Sequence, residues 1–175
     1  MNLNNFKVNR HSSLLYHLIW RLTSILLFSD ICFSYSVRRS VLRLFGAKIG
    51  KNVIIRSGTY IYDPSLLEIE DFSWIGDKCH INNPVKLYIG KNVAIAHEVF
   101  IACGSHDFND PNFATKHKVV KIHDNCWIAS RAFISPGVDI SNSIVLPCVL
   151  VPNGKFENVI ISNDNKIKVK ERNEF

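Results

Sequence analysis

The sequence predicts an all-β chain wound into a parallel β-helix, with a short α-helical region ahead of it. Two observations carry this. A branched aliphatic residue recurs every six positions: Ile49, Ile55, Ile61 and Leu67; Ile69, Ile75, Ile81 and Leu87; Ile89, Ile95 and Ile101; then Ile122, Ile128, Ile134, Ile140 and Leu146. Four positions after these sits a small or β-branched residue, as at Val53, Thr59, Ser65, Ser73, Cys79, Val93, Val99, Cys126, Ala132 and Val138. Six is not a helical period but is a multiple of the strand period of two. A short internal repeat of this kind is the mark of a stacked architecture. Each hexad is therefore read as one short strand plus a turn.

Three hexads close one triangular coil, so the rungs are expected at 49–66, 69–86, 89–106 and 122–139, with a partial rung from 140. Two extra residues, Leu67–Glu68 and Leu87–Tyr88, shift the phase between rungs. The segment "IGKNV" at 49–53 accordingly returns at 89–93. Stacked rungs bury a continuous column of Ile, Leu and Val that no single rung could bury alone. Each fully buried aliphatic side chain contributes roughly 1.5–3 kcal/mol. The corner positions suit only small side chains.

Residues 1–45 form the helical segment ahead of the coils. The stretch "SSLLYHLIWRLTSILLFSDICFSYSV" at 12–37 is apolar, but Arg21 and Asp30 interrupt it. No uncharged run reaches the ~18–20 residues of a spanning helix. It lacks a small-residue cleavage site after a basic start and is not read as a signal peptide. One reading packs it over the open first rung as a cap. The other lays it in a membrane interface, with Tyr16 and Trp20 at headgroup level and Arg38, Arg39 and Arg43 on anionic lipid.

The 175 residues carry a formal net charge of +6 and suggest one main domain, the β-helix at 46–161, followed by a basic tail at 162–175. The basic residues are scattered and match no nucleic-acid module, so no nucleic-acid partner is expected; anionic headgroups or cofactor phosphates fit better. The five cysteines include no CxxC pair. Cys79, Cys126 and Cys148 are read as small buried residues in a reducing cytoplasm.

The hexad rhythm breaks once for a long stretch. After Ile101 the chain runs "ACGSHDFNDPNFATKHKVVK" and resumes at Ile122, an excursion near 106–121. A long loop thrown out of a solenoid is usually functional. It opens on Ser105, His106 and Asp107. Imidazole, with an unperturbed pKa near ~6.5, suits general-base work at neutral pH. The sequence leaves open which carboxylate or carbonyl fixes its tautomer.

The motif set "SHD" followed by an excursion and "VVKIHDNCWIASRAFISPGVDI" resembles the hexapeptide-repeat acyltransferases. The likeness is strongest to the polysaccharide-biosynthesis O-acetyltransferases of colanic-acid type, and "RLFGAKIG", "YDPSLLEIEDFSWIGDKCHINN" and "SHDFNDPNF" add to it. The resemblance covers about residues 40–151. It implies a left-handed β-helix, although parallel crossovers in general are right-handed. It implies a homotrimer with sites between subunits, acetyl-CoA as acyl donor, no metal, and a saccharide acceptor. By the same resemblance His106 is the general base, with Asp107 beside it as an orienting neighbour or a loop cap. Asn83 and Ser105 face the acceptor, Trp127 walls the acyl channel, and the Ala129 amide meets the thioester carbonyl. The location expected is the cytoplasm, or the inner face of its membrane if the acceptor is lipid-linked.

The last coils depart from the family. Aligned without gaps, "IGxGAVVGAGSVV" becomes "ISNSIVLPCVLVP", and "GNPA" becomes Asp164-Asn165-Lys166-Ile167. Lys166 and Lys168 are then candidates for the CoA phosphate. A scaffold that has lost efficient CoA binding is the alternative outside enzymes, and N-acetylation of an amino sugar the alternative within them. A zinc-dependent hydratase needs three converging histidines, which His80, His97, His117 and His123 do not reproduce.

Overall fold

The computed structural model describes residues 12–30, 32, 34–107, 109–162 and, by backbone alone, 163 and 167–171. Helices α1 (Leu14–Leu27) and α2 (Tyr35–Leu44) precede a parallel β-helix of about six turns. Face one stacks Lys48–Ile49, Leu67–Ile69, Leu87–Ile89, Val120–Ile122, Val138–Ser141 and Gly154–Glu157. Face two stacks Ile54–Ile55, Trp74–Ile75, Ala94–Ile95, Trp127–Ile128, Ile144–Val145 and Val159–Asn163. Face three stacks Tyr60–Ile61, His80–Asn82, Phe100–Ala102, Phe133–Ile134 and Leu150–Val151.

The hexad aliphatics sit in register. Ile49, Ile69, Ile89, Ile122 and Ile140 form one column, and Ile61, Ile81, Ile101 and Ile134 another. All are buried. The phase-shifting dipeptides lengthen face one: Leu67, Leu87 and Val120 align as a second inward column. At the corners the backbone enters the left-handed region, at Asn52, Asn92 and Asn125 on one edge and at Lys78, Glu98 and Arg131 on the next. Asparagine tolerates that conformation better than most residues.

Two expectations need correction past Ile140. Val145 is fully buried, whereas Leu146 is 36% exposed. The step from Ile140 is five residues rather than six. Asn142 takes a φ of 43° and the Ser143 hydroxyl donates to the Ser141 carbonyl (2.6 Å), closing the corner one residue early. Cys148 is exposed rather than buried, because it occupies a left-handed corner (φ 60°) in the same row as Arg131. Burial instead pushes the Cys79 thiol up to about 11 and that of Cys103 up to about 12. Native-state titration with a disulfide reagent should label Cys148 fast and leave Cys79 and Cys103 unreacted until the protein is denatured. Fast labelling of either buried thiol would contradict this packing.

The helices close the open end of the coil, and the reason is chemical. Each rung donates its N–H groups to the rung above, as Gly50 N–H does to Ile69 and Ile54 N–H to Ser73. The first rung is therefore left with a row of unpaired carbonyls, which buried backbone cannot tolerate. The helices supply the donors. Trp20 Nε1 reaches Ile61 (2.7 Å), Arg39 reaches Val53 (2.8 Å), and Arg43 reaches Ile49 and Gly50. Arg38, 2% exposed, donates to the carbonyls of Ile55, Leu27, Ser29 and Cys32 and to the Ser57 hydroxyl. The cap reading thus holds for these residues. Trp20 is buried and Tyr16 donates to the Phe45 carbonyl, so neither aromatic stands at a headgroup level, and all three arginines are engaged with backbone. No helix among the described residues is long and apolar enough to cross a membrane.

Candidate active site

The excursion is a β-hairpin rather than an irregular loop. Gly104–His106 pairs antiparallel with Thr115–His117: Gly104 lies opposite His117, Ser105 opposite Lys116, and His106 opposite Thr115. Side chains alternate along a strand. Residues 104, 106, 115 and 117 therefore share one side, and Ser105 and Lys116 the other. The first side closes a cavity of about 460 Å³ whose floor is face three, with Asn82, Pro84, Phe100 and Phe133 in its lining.

His106 is partly buried there. Its Nδ1 lies 3.0 Å from the Phe113 carbonyl, and its ring stacks on Phe113 with centroids 4.5 Å apart. A carbonyl only accepts, so in the neutral ring Nδ1 carries the proton and Nε2 keeps its lone pair. The tautomer left open by the sequence is set by a carbonyl. The Asp107 carboxylate is occupied elsewhere: it pairs with Lys116 at 2.6 Å and accepts the Asn109 N–H. Lys116 holds that carboxyl below its usual range. Asp107 thus ties the two hairpin strands together, the loop-cap role rather than the orienting one.

The remaining candidates fall in different places. Ser105 borders the cavity but its exposed side chain alternates away from His106. Asn83 is fully buried at a corner, where its amide oxygen accepts the Asp63 N–H (3.1 Å) and its nitrogen donates to the Asp63 carbonyl (2.7 Å). Both ends of that amide are used to clamp the first rung to the second, so Asn83 does not face an acceptor. Its neighbour Asn82 does line the cavity. Trp127 is 49% exposed on face two, in register with Trp74 and Ala94 and away from the His106 cavity. The Ala129 N–H donates to Val145 (2.9 Å). The coil continues above it, so that amide is not available to a thioester. Lys166 lies outside the described residues. Lys168 sits in the strand Ile167–Glu171, which returns antiparallel to Val159–Asn163.

Sequence reasoning missed Asn82 and His117. Alternation from the buried Ile81 would have turned Asn82 outward. His117 is placed by hairpin register, which the sequence does not show. Its ring packs close to Gly104, where a side chain would meet it at 3.1 Å. Face three also carries a ladder of rings, Tyr60, His80, Phe100 and Phe133, stacked with centroids 4.4, 4.5 and 5.1 Å apart. Burial lowers the pKa of His80 in that ladder. Among the described residues no group of His, Cys, Asp or Glu gathers as a metal site.

This geometry matches solved structures over nearly the whole chain. A maltose O-acetyltransferase from Clostridium difficile 630 superposes with a TM-score of 0.82 at 20% identity, covering 95% of this chain and 92% of its own. A hexapeptide-repeat-containing acetyltransferase from Vibrio cholerae, crystallised with acetyl coenzyme A, gives 0.84 at 15% identity, covering 98% and 96%. The fold is that of the hexapeptide-repeat acetyltransferases. The chain is also 37% identical over 112 residues to WcaF of Escherichia coli K12, a protein whose name assigns it to colanic acid biosynthesis as an acetyltransferase. That match covers 64% of this chain and 62% of the relative's length. No family model matches the chain. The departures in the last coils leave the hexapeptide-repeat fold intact: Val145, Val151 and Ile161 still fill the core.

Proposed function

We propose that this chain is an acetyl-CoA-dependent O-acetyltransferase acting on a sugar hydroxyl in bacterial surface polysaccharide synthesis. The observation that carries the reading is His106, its Nδ1 proton committed to Phe113 and its ring on the wall of an open cavity. Its Nε2 takes the proton of an acceptor hydroxyl as the oxygen attacks the thioester carbonyl. The tetrahedral adduct collapses with cleavage of the C–S bond, and the imidazolium returns its proton to the departing thiolate. Asn82 and His117 border the space an acceptor would fill.

A homotrimer accounts for Trp127. His106 serves face three and Trp127 stands on face two, so one chain does not bring them together; a second copy beside the hairpin would. The acyl channel is then shared between copies, with Lys168 near its far end.

The test is thiol release from acetyl-CoA by the full-length protein, run against a panel of neutral saccharides, amino sugars and lipid-linked saccharides. Release that depends on a neutral or lipid-linked saccharide supports the reading. Release only with amino sugars selects N-acetylation. If calorimetry finds no acetyl-CoA binding at all, the scaffold alternative takes over.

A further inference from the structure

The end cap leaves one surface unexplained. Helix α1 is clamped on one side by Trp20, Leu27 and the Tyr16 hydroxyl. Its other side exposes Leu14, Leu15, Leu18, Leu22, Ile25 and Leu26 at 58–71%, and Ile19 at 47%. At 3.6 residues per turn these side chains span an arc of about 140°. Soluble monomers rarely carry a contiguous aliphatic patch of this kind. The arc is wider than the narrow seam by which two helices zip together.

Charge selects the occupant. Residues 1–29 contain Lys7, Arg10 and Arg21 and no carboxylate; the first is Asp30. Arg21 is exposed at the margin of the apolar arc, its guanidinium lying 5.3 Å from the Tyr60 ring centroid. A second copy docked through the same face would bring an identical basic margin with nothing acidic in this segment to neutralise it. An anionic bilayer supplies both an apolar layer and the opposite charge.

We propose that the outward face of α1 docks this protein on an anionic lipid bilayer, the helix lying along the interface with its aliphatic side in the acyl boundary. The protein attaches by the carbonyl end of its β-helix. The hairpin bearing His106 leaves the third rung, two inter-strand spacings, or about 10 Å, above the first. With α1 itself about 10 Å across beneath the first rung, the cavity stands about 20 Å from the lipid-facing side of the helix. This docking does not depend on the acetyl-transfer reading.

Flotation of the full-length protein with vesicles tests it, using phosphatidylcholine alone or with a one-third share of phosphatidylglycerol. The expected result is flotation with the anionic vesicles. It should fall at least about tenfold for the double variant Leu18→Asp/Leu22→Asp and about fivefold for Arg21→Gln. All three side chains are exposed, and the Arg21 contacts to the Tyr60 ring and hydroxyl lie at the surface, so circular dichroism melting should shift only slightly and loss of binding is not loss of fold. Absence of flotation with anionic vesicles overturns the proposal, and so does equal flotation with both compositions. Concentration-dependent self-association in sedimentation velocity, abolished by the double variant and without flotation, overturns it in favour of a second copy.

Discussion

Replacing His106 by Asn should lower kcat by about a hundredfold or more while the β-helix stays folded. Asn is the informative choice, because its amide nitrogen can reproduce the donor that His106 Nδ1 offers the Phe113 carbonyl. The donor to the Phe113 carbonyl is then kept, while the lone pair of Nε2 and the ring stacked on Phe113 are lost. Asp107→Asn is the contrasting variant. Its carboxylate ties Lys116 across the hairpin, so its loss should loosen the hairpin and raise KM for the acceptor, with a fall in kcat under about tenfold. If His106→Asn keeps wild-type kcat, the base is elsewhere in the cavity, and His117 on the same side of the hairpin is the next residue to change. If Asp107→Asn is as damaging as His106→Asn, the Asp107–Lys116 tie does not persist when substrate is bound.

The comparison between these two residues shows what a sequence can carry. Ile49, Ile69, Ile89 and Ile122 repeat because every rung meets the same core, so the columns are legible one residue at a time. His106 was legible because it stands where that rhythm breaks. Its tautomer was not, since Phe113 reaches it only after the chain has turned back on itself. Asn83 shows the opposite failure. A motif match put it toward the acceptor, but at a corner its amide is consumed by the Asp63 backbone of the rung below. The Ala129 amide was misplaced for a similar reason, because another rung sits above it. The shift at Val145 came from a single missing residue in a degenerate hexad, which an ungapped reading carries forward to Leu146. The arginines of α2 looked like a basic surface because sequence shows charge and not the row of carbonyls beneath it.

One carbonyl of that row, Ile55, and the carbonyls that end α1 underlie the second large effect. Arg38→Met should destabilise the protein by about 3–5 kcal/mol, measured as a shift in the urea unfolding midpoint. The side chain is buried, and its five donor contacts go to four carbonyls and one hydroxyl with no carboxylate among them. The charge of the guanidinium is balanced by oriented backbone dipoles. Methionine fills similar volume but donates nothing. The carbonyls of Ile55 and Leu27 would be stranded in a buried site, at about 1–3 kcal/mol for each group left unsatisfied. Arg38→Lys should recover only part of the loss, because one ammonium cannot reach carbonyls that a planar fork spans together. Arg39→Met, which strands a single carbonyl, should cost about 1 kcal/mol. The ordering matters more than the absolute values. A gap of this size between two neighbouring arginines on one helix is expected only if Arg38 joins a first-rung carbonyl, that of Ile55, to the buried carbonyls at the end of α1 and in the linker after it. Equal losses at Arg38 and Arg39 would mean that water or α1 backbone takes over those carbonyls when the guanidinium is gone.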